Sequence, residues 1–148
     1  MATVSTYLNF KRETEAAFTF YKEVFETEFE GNGIMRFGDI PPSPEHPPMD
    51  EADLNLVMNV GIRILGGHLL MGTDAPESMG FQLVQGNNFY INLQPDTRQH
   101  TETLFNKLAE GGVVEQELAD MFWGDYYGSL TDKFGVRWMF NCSEKANG

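Results

Sequence analysis

The chain is short of cysteine, of basic residues and of long apolar runs, and each shortage excludes a class of protein. A single cysteine, Cys142, allows no intrachain disulfide and no thiolate metal cluster. It lies in an apolar C-terminal segment, where a buried small hydrophobe is expected rather than a nucleophile. Ten Lys and Arg stand against 22 Asp and Glu, a net charge of −12, and the basic residues form no cluster. Such a surface repels phosphate backbones, so neither nucleic acid nor an anionic membrane is expected as a partner. No apolar run approaches the roughly 18 residues that cross a bilayer. Met1 to Phe10 has neither the basic segment nor the apolar core of a signal peptide, and the expected compartment is the cytoplasm. The three histidines, His46, His68 and His100, are scattered, with no H-E-x-x-H, and neither G-x-S-x-G nor G-x-G-x-x-G occurs. His46 sits among Glu45, Asp50, Glu51 and Asp53, which reads as a solvated acidic loop before it reads as a cation site.

What is present is a folded domain's worth of apolar residues. Forty-one per cent hydrophobic and 13% aromatic residues in 148 suit one domain with a real core. Val4 to Phe10 alternates as a strand, and Arg12 to Thr27 reads as a helix with Ala16, Ala17, Phe20, Val24 and Phe25 as its apolar stripe. Gly33 to Gly38 reads as a short strand, and a Pro-rich loop covers about 39–52. Leu54 to Ile64 alternates without a break, with Leu54, Leu56, Met58, Val60, Ile62 and Ile64 on one face. Gly66-Gly67 turns the chain into a returning strand, His68 to Met71.

After a Pro- and Gly-containing connection at 74–86 the order repeats. Phe89, Ile91 and Leu93 alternate with Asn88, Tyr90 and Asn92. Asp96 or Thr97 caps a helix bearing Leu104, Phe105, Leu108 and Ala109, which ends at Gly111-Gly112. Val113 to Gln116 is a short strand. Tyr126 to Thr131, the turn Asp132-Lys133-Phe134-Gly135 and Val136 to Cys142 form a hairpin. The pattern predicts an α+β protein of two tandem βαβββ modules, about 1–74 and 86–143, with helices at roughly 12–28 and 97–110.

The hairpin segment Phe122-Trp123-Gly124-Asp125-Tyr126-Tyr127-Gly128 through Asp132, Phe134-Gly135 and Trp138 resembles the F-W-G-D-x-x-G-x-x-x-D-x-F-G-x-x-W stretch of the PhnB-like branch of the vicinal oxygen chelate superfamily. That superfamily includes the glyoxalase/bleomycin-resistance proteins. Tyr7-Leu8-Asn9-Phe10, Phe20-Tyr21-Lys22-Glu23-Val24-Phe25, Val57-Met58-Asn59-Val60 and Leu108-Ala109-Glu110-Gly111-Gly112 are similar to further segments of that branch, in the same order. The resemblance implies two curved mixed sheets around a concave cavity, with helices on the convex faces. It also implies a homodimer, since relatives pair their modules within or between chains.

In metal-using relatives, His, Glu or Gln from the first and last strands of each module hold a divalent cation. Here those positions fall near Ser5, Met71, Asn88 and Met139, or one residue away at Thr6, Leu70, Phe89 and Trp138, and Asn59 stands where many relatives carry His. These side chains are poor ligands for hard or borderline divalent ions, so no metal and no other cofactor is expected. Related sequences carry a name suggesting a demethylubiquinone methyltransferase, but the chain has no Gly-rich strand-to-helix loop for a methyl donor.

Three functions compete at this level. The first is a metal-free small-molecule binding protein whose ligand meets Asn59, Asn88 and Tyr90, with His68 and Trp123 near the mouth of the cavity. Against it stands structural pairing of the same side chains across the sheets or with water. The second is a divalent-metal enzyme of the glyoxalase or extradiol-dioxygenase type with ligands outside the aligned positions. The third is a structural homodimer without a ligand.

Overall fold

The repeated alternation folds as a repeated topology. The computed structural model describes residues 1–41, 43–45 and 49–146. His46, with its candidate cation role, lies outside the described residues. The chain divides into two units, Met1–Val84 and Gln85–Gly148. The first holds β1 (Thr6–Phe10), α1 (Thr14–Val24), β2 (Met35–Arg36), β3 (Val57–Arg63) and β4 (Leu69–Asp74). The second holds β5 (Ile91–Leu93), α2 (Arg98–Ala109), β6 (Val113–Asp120), β7 (Tyr126–Thr131) and β8 (Arg137–Cys142). The sheet orders are β1-β4-β3-β2 and β5-β8-β7-β6. In each sheet the first strand runs parallel to the last and the remaining pairs are antiparallel. The expected α+β class and the two βαβββ modules are thus both present.

In the first unit one sheet face is sealed by α1. Leu8, Phe10, Val60, Ile62 and Leu70 are buried, as are Ala17, Phe18, Tyr21 and Val24 of the helix. The stripe predicted on this helix was rotated: Ala16 is exposed and Phe20 only half-buried, whereas Phe18 and Tyr21 are in the core. Gly72 permits the approach of Phe18. A Cβ at Gly72 would stand 2.5 and 2.9 Å from two ring carbons of Phe18. Gly72→Ala is therefore expected to destabilise the protein by about 1–3 kcal/mol, the usual cost of overpacking a filled core, read as a lower urea midpoint.

Several strand and helix boundaries of the first unit differ from the sequence expectation. Helix α1 is shorter than 12–28. It begins at Thr14, whose backbone N–H and hydroxyl both donate to Asp74 (3.1 and 2.8 Å). It ends where Glu26 takes a positive φ of 50° and Thr27 donates back to the Lys22 carbonyl (3.1 Å). That stop is usually marked by glycine, which is absent here. The unbroken alternation over 54–64 also fails. Leu54 is exposed, and Val57 and Val60 are both buried, so the face changes between them. The change coincides with a shifted register against β2, and the Val57 N–H donates to the buried Asp74 carboxylate (2.8 Å). Of the strand expected at Gly33 to Gly38, only Met35–Arg36 pairs.

The second unit follows the expectation more closely. Leu104, Phe105 and Leu108 of α2 cover Leu130, Trp138, Phe140 and Cys142, and Phe105 meets Phe140 edge-on with ring centroids 5.2 Å apart. Thr97 caps α2 by accepting the His100 N–H (3.1 Å). The one long departure is β6, which runs on to Asp120 instead of stopping at Gln116. β6 is an edge strand whose side chains meet water, so its acidic residues are tolerated there.

Candidate functional site

The row of residues that crosses one end of the second sheet carries the most chemistry. Parallel pairing sets Ile91 against Trp138, which leaves Tyr90, one residue earlier, beside Arg137. Across the hairpin Arg137 pairs with Thr131, and Thr131 pairs with Val113. The register then shifts between Val114 and Gln116, so Glu115 is an extra residue in β6. Such bulges re-aim a side chain. The neighbours Leu130 and Trp138 point into the core under α2, so Thr131 and Arg137 face away from it.

These residues form one hydrogen-bonded network. Glu115 Oε2 lies 2.6 Å from Arg137 Nη2 and accepts the Tyr90 hydroxyl at 3.0 Å. Glu115 Oε1 accepts the Thr131 hydroxyl at 3.0 Å. Arg137 also donates to the Tyr90 hydroxyl and to the Asn87 carbonyl. Its guanidinium carbon stands 4.0 Å from the centre of the Tyr90 ring. The hydrogen bond from Arg137 holds the Glu115 carboxyl below the usual carboxylate range, against the opposing effect of burial. Burial pushes the Tyr90 hydroxyl up, and the Glu115 carboxylate adds to that. At neutral pH the pair is ionic and Tyr90 is neutral.

A pocket of about 590 Å³ opens over this row, lined by Gln85, Gly86, Asn87, Glu115, Thr131, Gly135 and Arg137. Its wall is the strap 85–87. Gln85 Nε2 donates to the Phe134 carbonyl at 3.0 Å, and the Gln85 amide lies over Gly135, where a Cβ would come within 2.3 Å of it. Gly135 has the positive φ (88°) expected of the turn glycine.

The five residues singled out from sequence are divided between the two units, Asn59 and His68 in the first and Asn88, Tyr90 and Trp123 in the second. Tyr90 belongs to the network and Asn88 adjoins the lining residue Asn87. Trp123 lies in the turn between β6 and β7, stacked edge-on with Phe122 and Tyr127 at 5.1 and 5.7 Å. It sits at the opposite end of β7 from Thr131, about 17 Å away at the rise of a strand. Asn59 and His68 are in the first unit. Asn59 donates to the Tyr7 hydroxyl (3.1 Å) on the face away from α1. His68 Nε2 is 2.9 Å from the Thr6 hydroxyl, in register with the core-facing positions of β1 and β4. Asn92, in the same alternating segment as Tyr90, accepts from Asn141 (2.8 Å).

Sequence reasoning missed Glu115, Thr131 and Arg137. Arg137 had a signal. It alternates with the apolar Trp138, Phe140 and Cys142 in a strand next to the turn, so a charged side chain had to face the far side of the sheet. Glu115 had none, because its direction depends on a bulge.

Two four-stranded mixed sheets, each with one helix in βαβββ order, define a protein of the glyoxalase/bleomycin-resistance fold. A family protein of that description from Burkholderia phytofirmans shares the fold, with 18% identity, a TM-score of 0.59 and coverage of 94% of this chain and 98% of that one. Residues 2–140 match the family described as 3-demethylubiquinone-9 3-methyltransferase, and the chain belongs to that family. It is similar to protein YjdN of Escherichia coli K12, 25% identical over 143 residues and 93% of each chain. The crystal structure of PA1353 from Pseudomonas aeruginosa matches with 29% identity and a TM-score of 0.81, over 99% of this chain and 100% of that one. A PhnB protein from Bacillus cereus matches with 22% identity and a TM-score of 0.72, over 95% and 99%. The resemblance to the PhnB-like branch is thereby confirmed.

The groups implied by fold and family do not fit the residues present. Near the positions to which the resemblance assigns metal ligands stand a hydroxyl, two thioethers and a carboxamide, those of Ser5, Met71, Met139 and Asn88. Among the described residues no group of three or more His, Cys, Asp or Glu could hold a metal ion. A nucleotide-type ligand on a strand-to-helix turn is commonly held by glycine-rich backbone. Here β1 reaches α1 through Lys11-Arg12-Glu13, and β5 reaches α2 through Gln94-Pro95-Asp96-Thr97, without a glycine. No helix among the described residues is long and apolar enough to cross a membrane.

Proposed function

We propose that the protein binds a small polar molecule without a metal ion, at the pocket of the second unit. The observation that carries this reading is the Glu115–Arg137 pair on the pocket floor, held in place by Tyr90, Thr131 and the Asn87 carbonyl. Binding sites are concave and carry a few polar groups fixed in orientation before the ligand arrives, and the pocket volume is in the usual range for one. Tyr90 and Asn88 serve the ligand from the strap side. Neutral oxygen and thioether donors at the superfamily's metal positions support binding over Lewis-acid chemistry.

The test is thermal melting against a panel of small polar metabolites and, separately, zinc, nickel and manganese. At a ligand concentration of 100 Kd a binder adds about 2.7 kcal/mol of stability and raises Tm. The expected result is a rise with at least one polar metabolite that is absent in Arg137→Met, and none with the metals. Near-stoichiometric metal in protein purified without chelator, lost on mutating Asn88 or Met71, would overturn the reading.

We further propose that the protein is a homodimer, with the reducing cytoplasm as its compartment. Phe81, Val84, Phe89, Phe122 and Trp123 are 49–97% exposed in the single chain, apolar surface that a partner copy would cover. Sedimentation at micromolar protein is expected to give twice the chain mass of 16.7 kDa. A mass of one chain refutes it.

A further inference from the structure

We infer that the ligand of the second-unit pocket is zwitterionic, of the α-amino-acid type, with its carboxylate on Arg137 and its ammonium on Glu115; this rests on the binding reading above. The inference follows from which hydrogen-bonding sites remain open. A guanidinium has five N–H donors, and the network takes three of those on Arg137, for Asn87, Tyr90 and Glu115. A carboxylate has about four acceptor positions, and Glu115 uses three, two of them on Oε2. One position on Oε1 and two donors on Arg137 are therefore left, in side chains that are 29% and 16% exposed. A ligand that accepts at Arg137 and donates at Glu115 adds bonds without breaking any.

Charge then selects among such ligands. A simple anion drawn to Arg137 meets the Glu115 carboxylate, which touches the same guanidinium, in a chain of net charge −12. A simple cation drawn to Glu115 meets Arg137. A zwitterion laid head-to-tail on the ion pair presents each charge to its opposite. The rest of the lining suits the same ligand. Gln85, whose amide nitrogen donates to the Phe134 carbonyl, lines the pocket, and its carboxamide oxygen is an acceptor. Asn87 is exposed, and its side-chain amide offers both a donor and an acceptor.

The experiment is a titration of the full chain followed by ¹⁵N NMR, reading the backbone amides of Gly86, Asn87 and Gly135 and the Arg137 Nε–H. The probes are alanine, serine, glutamine and phenylalanine, each beside its carboxamide, a cation, and its N-acetyl form, an anion. At least one free amino acid is expected to shift these signals and to bind about tenfold or more tightly than either of its singly charged forms. Glu115→Gln is expected to erase the preference over the anion while keeping the fold. Arg137→Met is expected to erase the preference over the cation. If Arg137→Met does not fold, Arg137→Gln, which removes the charge and keeps hydrogen-bonding capacity, replaces it. Equal or tighter binding of a singly charged form at these signals overturns the zwitterion and leaves the binding reading standing. No shift at these signals with any amino acid at millimolar concentration also overturns it. The melting panel judges the binding reading separately, since it spans ligands that are not amino acids.

Discussion

Asp74→Ala is expected to destabilise the protein by about 3 kcal/mol or more, the scale of breaking a buried, fully hydrogen-bonded carboxylate. Asp74 is 2% exposed and closes β4. One oxygen accepts both the backbone N–H and the hydroxyl of Thr14, and the other accepts the Val57 N–H. A single side chain therefore caps α1, starts β3 and ties both to β4. Alanine removes the desolvation cost of the carboxylate but leaves three donors without acceptors in a place water does not reach. Asp74→Asn keeps an oxygen for Thr14 and sets an amide N–H against that of Val57, so a smaller loss is expected. Urea denaturation followed by circular dichroism measures both. A change under about 1 kcal/mol for alanine would show that water or a local shift can replace all three bonds.

Asp132→Ala is expected to cost a similar amount, about 3 kcal/mol, and to disturb the pocket as well. Asp132 is 3% exposed in the turn between β7 and β8. It accepts the N–H groups of Phe134 (2.8 Å) and Val136 (3.0 Å) on one oxygen and the indole N–H of Trp138 (2.9 Å) on the other. Trp138 is fully buried, so its N–H has no water to turn to. Thr131 precedes the turn and Arg137 follows it, and Gln85 of the strap is bonded to the Phe134 carbonyl. A loosened turn therefore moves the groups on which the proposed ligand binding depends. The expected signature is a lower urea midpoint together with altered near-ultraviolet circular dichroism from Trp138. An unchanged midpoint would mean that the turn holds through its backbone bonds alone.

The hairpin of the second unit was legible in the sequence because three independent signals coincide there. Tyr126 to Thr131 is β-prone, Asp132 to Gly135 is a turn, and Trp138, Phe140 and Cys142 alternate into the core. Helix α2 was legible because Thr97 caps it locally and Gly111-Gly112 follows it. Helix α1 was less so. Its cap comes from Asp74, 60 residues away, and its last turn closes on Glu26 rather than glycine.

The candidate site was the least legible part. Tyr90 was singled out for its place in an alternating segment, but the partners that give it a role come from β6 and β8. His68 and Asn59, read as ligand contacts or as paired side chains, are each bonded to a β1 side chain, Thr6 and Tyr7. No local pattern announces a bond between strands far apart in sequence.

By itself the sequence determined the class of fold and the duplication. Each of these depends on composition, or on periodicities of two and 3.6 that are local to the chain. Only the tertiary structure decided which polar residues meet. Parallel pairing in β5–β8 sets Tyr90 beside Arg137, and a one-residue bulge in β6 turns Glu115 toward both. The physical reason is that a strand's register is chosen by its partners, and a shift of one residue sends every side chain to the opposite face.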